Sequence, residues 1–124
     1  RRLCYLIDVF PTLCDMLQTT CTPIGDGISL LSSLDGKEPV RDYLYYSYMD
    51  NQRGISDGTW KLIEYHVNGK RTTQLFNLKN DPWEETISAD KRNNEKTIQR
   101  LREKMAEEQK RTNDTSVFWN NFSY

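Results

Sequence analysis

Three features of the 124-residue chain predict an α+β fold, a four-stranded antiparallel sheet packed by one long C-terminal helix. Asp57-Gly58 and Asn68-Gly69 are dipeptides that accept positive φ in tight hairpin turns, and two hairpins in series make a meander. Ahead of them, Tyr43-Leu44-Tyr45-Tyr46-Ser47-Tyr48 is rich in aromatics that suit a pleated, half-buried surface. From about Asp90 to Arg111 there is neither Gly nor Pro and Lys, Glu, Arg and Gln dominate, which predicts about five turns of helix.

Taken in order, Ile7 to Leu17 reads as an extended entry that becomes a short helix, because Pro11 is tolerated in a first turn where its missing N–H would be unpaired anyway. Leu13, Met16 and Leu17 share one face of that helix and have little in this chain to lie against. Thr19 to Pro39 is a wrapping connection, with turn signals at Gly25-Asp26-Gly27 and Asp35-Gly36 around an apolar island of Ile28, Leu30, Leu31 and Leu34. After a turn at Glu38-Pro39, the strands are expected at Tyr43–Tyr48, Arg53–Ser56, Thr59–His66 and Thr72–Leu78. Asp81-Pro82 then breaks the chain, and Ile98, Leu101 and Met105 form the stripe by which the helix meets the sheet. Four aromatics in the last seven residues, Phe118 to Tyr124, are expected to dock on a surface.

Composition narrows the function classes. Seventeen Lys and Arg against 18 Asp and Glu give a net charge of -1, which removes any global argument for nucleic acid or an anionic membrane as partner. The excess of basic residues between 91 and 111 reads as a solvated helix face ahead of a polyanion patch. No window approaches the roughly 18 consecutive apolar residues of a membrane span, and the apolar run at the start is too short for a signal peptide. Cys4, Cys14 and Cys21 lack zinc spacing; Cys4 and Cys14 read as buried small hydrophobes, with pairing among the three as the alternative. Redox compartment stays open.

No nucleophile elbow, zincin motif, P-loop or dinucleotide fingerprint is present, so no catalytic or metal-ligating residue is assigned. The aspartates, Asp8 and Asp57 among them, sit beside Gly, Pro or element ends and read as caps and turn formers. His66 closes the third strand before a turn that carries Lys70 and Arg71; the three together could meet an anionic ligand, against the plainer reading of a polar strand end. Trp60 and Trp83 are expected in core or helix–sheet packing rather than stacked on a sugar. Asn113-Asp114-Thr115 and Asn121-Phe122-Ser123 match the N-glycosylation pattern, which matters only in a secretory pathway.

Five blocks in order carry a resemblance: Ile7-Asp8-Val9-Phe10-Pro11-Thr12-Leu13, Asp26-Gly27-Ile28-Ser29-Leu30-Leu31, Arg41-Asp42-Tyr43-Leu44-Tyr45, Asp57-Gly58-Thr59-Trp60-Lys61-Leu62-Ile63 and Leu75 through Glu84. Together they resemble the C-terminal portion of type I, formylglycine-dependent sulfatases of the alkaline-phosphatase-like superfamily. The resemblance implies that residues 1–40 are the last helix and linker of an absent α/β catalytic domain and that 41–124 form the C-terminal subdomain. It implies sulfate-ester hydrolysis by the parent protein, on a substrate such as a sulfated sugar, with formylglycine and calcium belonging to the missing domain and none on this chain. The catalytic domain is then the partner, the compartment is periplasmic, extracellular or lysosomal, and His66, Lys70 and Arg71 become a substrate rim. The C/S-x-P-x-R motif that yields formylglycine is absent, since Gln18 and Gly25 stand where Arg is needed after Cys14 and Cys21. This fragment alone is therefore expected to be inactive. Two other readings compete: a phosphodiesterase or phosphonate hydrolase of the same superfamily, and a self-standing protein- or polyanion-binding domain.

Overall fold

A computed structural model describes residues 3–20, 22, 25–34, 36, 40–89 and 92–117. Cys21, Asp35, the Glu38-Pro39 turn, the expected helix start at Asp90 and the aromatic tail from Phe118, with the second glycosylation pattern, lie outside the described residues. The chain divides into two compact units, residues 1–44 and 45–124.

In the first unit a 3-10 turn at Leu6–Asp8 leads into α1 (Val9–Met16), and α2 (Leu31–Leu34) follows in the connection. Pro11 falls in the first turn of α1, where the absent N–H costs nothing. The helix stops at a Schellman arrangement, with Gln18 at φ 51° and the N–H groups of Gln18 and Thr19 donating to the carbonyls of Asp15 and Cys14. Asp8 has no solvent exposure and is more than a cap. Its carboxylate accepts the N–H of Tyr5 at 2.7 Å, the N–H of Ile28 at 2.9 Å and Nη2 of Arg41 at 2.7 Å, so one side chain ties the helix entry to the connection. Thr12 adds a second tie, accepting the N–H of Leu30 at 2.9 Å. Gly27 is required there because a Cβ would run into the carbonyl oxygen of Ile7.

Leu13, Met16 and Leu17 are 50%, 58% and 75% exposed, a helix face left largely uncovered by the described residues. The expectation for the cysteines is corrected. Cys4 is an exposed free thiol; Cys14 is buried as expected, and it is disulfide-bonded.

The second unit carries the sheet, β1 (Leu44–Tyr48), β2 (Gln52–Ser56), β3 (Trp60–Val67) and β4 (Lys70–Asn77), in the order β1-β2-β3-β4. Asn68 and Gly69 both take positive φ, 52° and 72°, as a two-residue hairpin of matching twist demands. At the other turn the Asp57 carboxylate accepts the N–H groups of Thr59 and Trp60 at 2.9 and 2.7 Å, while Gly58 takes φ 82°. α3 runs Glu95–Arg111 after a 3-10 turn at Arg92–Asn94. Register places Leu62 between Ile55 and Leu75, and these three with Leu101 and Met105 have no exposed surface. Ile98, 8% exposed, completes the stripe expected from the sequence. The tryptophan expectation fails for Trp83, which is 83% exposed in the turn after Pro82, and Trp60 is only half-buried. No helix among the described residues is long and apolar enough to cross a membrane.

Candidate functional site

The β3–β4 hairpin brings His66, Lys70 and Arg71 together. His66 and Arg71 are directly opposite in the antiparallel register, and Lys70 faces Val67 at the hairpin end. Strand alternation separates them again: His66 and Arg71 share the face that carries Glu64, and Lys70 falls on the other. His66 is half-buried and its backbone N–H donates to the Asn51 carbonyl at 2.8 Å, which anchors the hairpin to the β1–β2 turn.

Arg71 belongs to a charged cluster that the sequence reading passed over. Glu64, fully buried in the middle of β3, accepts Nε of Arg102 at 2.6 Å and the hydroxyl of Thr73 at 2.7 Å, with Nη2 of Arg71 at 3.6 Å. A carboxylate removed from water needs this compensation, and the helix supplies it from Arg102 of α3. The available signal was an acid alternating onto the same strand face as Leu62, opposite a basic residue one position from Leu101.

A second missed cluster closes the far end of the helix. Asn113 at φ 53° ends α3, with N–H donors of Asn113 and Asp114 on the carbonyls of Lys110 and Gln109. Asp114 then accepts both Nε and Nη2 of Arg53, at 2.7 and 3.0 Å, and the Tyr45 hydroxyl at 2.6 Å. Burial opposes ionisation of Asp114, but the hydrogen bonds from Arg53, Tyr45 and the Ser116 N–H outweigh it, and its pKa lies below the ordinary carboxylate value. Burial and the neighbouring Asp114 push the Tyr45 phenol upward. Asp57 is likewise held down: burial opposes, while the Trp60 N–H, Arg100 at 2.6 Å and the Thr59 N–H favour the anion.

A cleft of about 1040 Å³ opens between β4 and the N-terminal half of α3, with Arg71, Thr72, Lys96, Gln99 and Arg102 in its walls. No group of three or more His, Cys, Asp or Glu suited to a metal occurs among the described residues.

Residues 1–111 match the family described as N-sulphoglucosamine sulphohydrolase, C-terminal. Among solved structures the chain is similar to a protein captured with its substrate D-glucosamine-2-N,6-O-disulfate, at TM-score 0.69 and 24% identity over 90% of this chain and 25% of that one. It is similar to a 2-O GAG sulfatase at TM-score 0.67 and 24% identity, over 86% of this chain and 25% of that one. The phosphonate monoester hydrolase of Agrobacterium radiobacter gives TM-score 0.61 and 24% identity, with 86% and 25% covered. At these identities the likeness shows the fold, and the chain spans about a quarter of each of these structures. No curated protein matches the sequence.

Proposed function

The chain belongs to the N-sulphoglucosamine sulphohydrolase C-terminal family, and from that premise we propose that it is the C-terminal part of a sulfuric-ester hydrolase whose catalytic centre is formed by a separate catalytic domain. The family match over residues 1–111 carries this reading. The exposed apolar face of Leu13, Met16 and Leu17 supports it, because such a face is stable only when covered, here by the catalytic domain. The same exposure speaks against a self-standing binding domain.

In this reading the chain completes the fold, and the β3–β4 hairpin end, with His66, Lys70 and Arg71, forms a rim that binds and orients an anionic sugar sulfate. The catalytic domain would hold the formylglycine and the calcium, which would supply the nucleophile and the charge neutralisation that sulfate-ester cleavage requires. The disulfide at Cys14 supports a site of action outside the cytosol, in the periplasm, the lysosome or the extracellular space. The phosphonate hydrolase reading retains the fold likeness, and the family match favours the sulfatase.

The test is to assay the intact polypeptide that carries this chain on sulfated glucosamine and on a phosphonate monoester. Hydrolysis of the sulfate ester is expected. Turnover of the phosphonate alone would overturn the assignment. Residues 1–124 by themselves are expected to hydrolyse neither, since they hold none of the motifs that supply a nucleophile.

A further inference from the structure

We propose that the aromatic segment 118–124 straps the face of β1 that carries Tyr46 and Tyr48. The inference is independent of the sulfatase reading, since the family match stops at residue 111. The segment supplies Phe118, Trp119, Phe122 and Tyr124 and no charged side chain. Aromatic rings gain free energy by leaving water, and no charge within this segment opposes their burial.

The described residues fix where the segment sets out. After α3 the chain turns back at Asn113, and Ser116 is then held at three atoms. Its hydroxyl donates to Asp50 at 2.7 Å, its N–H donates to Asp114 at 3.1 Å, and its carbonyl accepts Nε2 of the buried Gln109 at 3.1 Å. Asp50 lies in the turn between β1 and β2, directly after Met49. Val117 therefore leaves beside the end of β1. Seven extended residues from there reach about 23 Å, more than the roughly 17 Å of a five-residue strand.

The surface beside that point matches the segment. Tyr45 turns its hydroxyl to Asp114 behind the end of α3, so strand alternation sends Tyr46 and Tyr48 to the opposite face. Tyr46 lies over Gly54, where an added Cβ would stand 3.4 Å from its ring, and Nζ of Lys61 is 5.8 Å from the ring centroid. Toward the turn the exposure climbs to 60% at Tyr48 and 71% at Met49, so an aromatic and thioether surface faces outward where the chain is pinned. The tether selects the occupant over a second copy: a segment fixed a few residues away meets the patch at an effective concentration of about millimolar.

The test uses the intact polypeptide that carries this chain, with the photo-reactive p-benzoylphenylalanine replacing Trp119. On irradiation, mass spectrometry should place the cross-link within one chain, on Tyr46, Tyr48 or Met49. Cross-links only elsewhere in the polypeptide, cross-links only between isotopically distinct copies, or none at all would each overturn the strap. The patch itself is read by hydrogen peroxide. In Phe118→Ser/Trp119→Ser/Phe122→Ser, Met49 should oxidise about fivefold faster than in the parent, the factor expected when the aromatic anchors of an interface are truncated. Met16 on α1 and the fully buried Met105 should keep their rates. Equal Met49 rates in the two proteins would also overturn the strap, whether both are slow because another surface covers the patch or both are fast because nothing does. Acceleration at Met105 as well would report unfolding, and the cross-link, made without those substitutions, then decides.

Discussion

Replacing Asp114 by Ala should be among the costliest single changes in the second unit. Arg53 is 2% exposed and spends Nε and Nη2 on this one carboxylate. Removing one partner of a buried ion pair costs about 3–5 kcal/mol because the other charge stays buried. Arg53 retains the carbonyls of Met49 and Gln52 at 2.6 and 2.7 Å, which argues for the lower end of that range, about 3 kcal/mol. The buried Tyr45 hydroxyl also loses its acceptor, at about 1 kcal/mol, for a total of roughly 4 kcal/mol. A domain of this size has only about 5–15 kcal/mol to lose, so the urea midpoint followed by circular dichroism should fall by about a quarter or more. The double variant Asp114→Leu/Arg53→Met removes both charges and should recover part of the loss. A single-variant loss below about 1 kcal/mol, or a double variant no more stable than Asp114→Ala, would refute the reasoning.

Acid should destabilise the chain through Asp8, Asp57 and Asp114, whose folded pKa values lie below their unfolded ones; the stability they contribute is full above the unfolded value near 3.9 and is lost as pH falls through the folded values, and Asp114→Asn should flatten that limb of a pH–urea-midpoint profile. Tyr45, with a raised pKa, works in the opposite sense: its contribution is present below about pH 10 and declines above it, and Tyr45→Phe should remove that alkaline decline. Leu101→Ala opens a cavity at a side chain with no exposed surface and should cost about 2–5 kcal/mol in the same denaturation assay. His66→Ala, measured by steady-state kinetics of the intact polypeptide, should raise KM more than it lowers kcat, with a tenfold to hundredfold loss in kcat/KM for a charge-assisted hydrogen bond of about 1.5–3 kcal/mol; an unchanged kcat/KM returns His66 to a polar strand end.

What the sequence made legible and what it hid follow from the range of the interactions involved. The hairpins could be read because positive φ at Asn68-Gly69 is a local steric requirement, satisfied or not by two adjacent residues. The helix stripe could be read because Ile98, Leu101 and Met105 obey a period that is visible along the chain. Glu64, Asp8 and Asp114 could not be read in this way. Each looks like an ordinary surface acid or turn former, and what distinguishes it is a guanidinium 38, 33 or 61 residues away. The rim shows the same division. Sequence order puts His66, Lys70 and Arg71 around one turn, but only the register shows that His66 and Arg71 share a face and that Lys70 does not. Arg71 beside buried Glu64 then has two calls on its charge, one from the core and one from any anion in the cleft. A substitution at Arg71 would therefore mix stability with binding, whereas His66, half-buried on the same strand face, has no part in the Glu64 pairs named above; for that reason the rim is tested at His66.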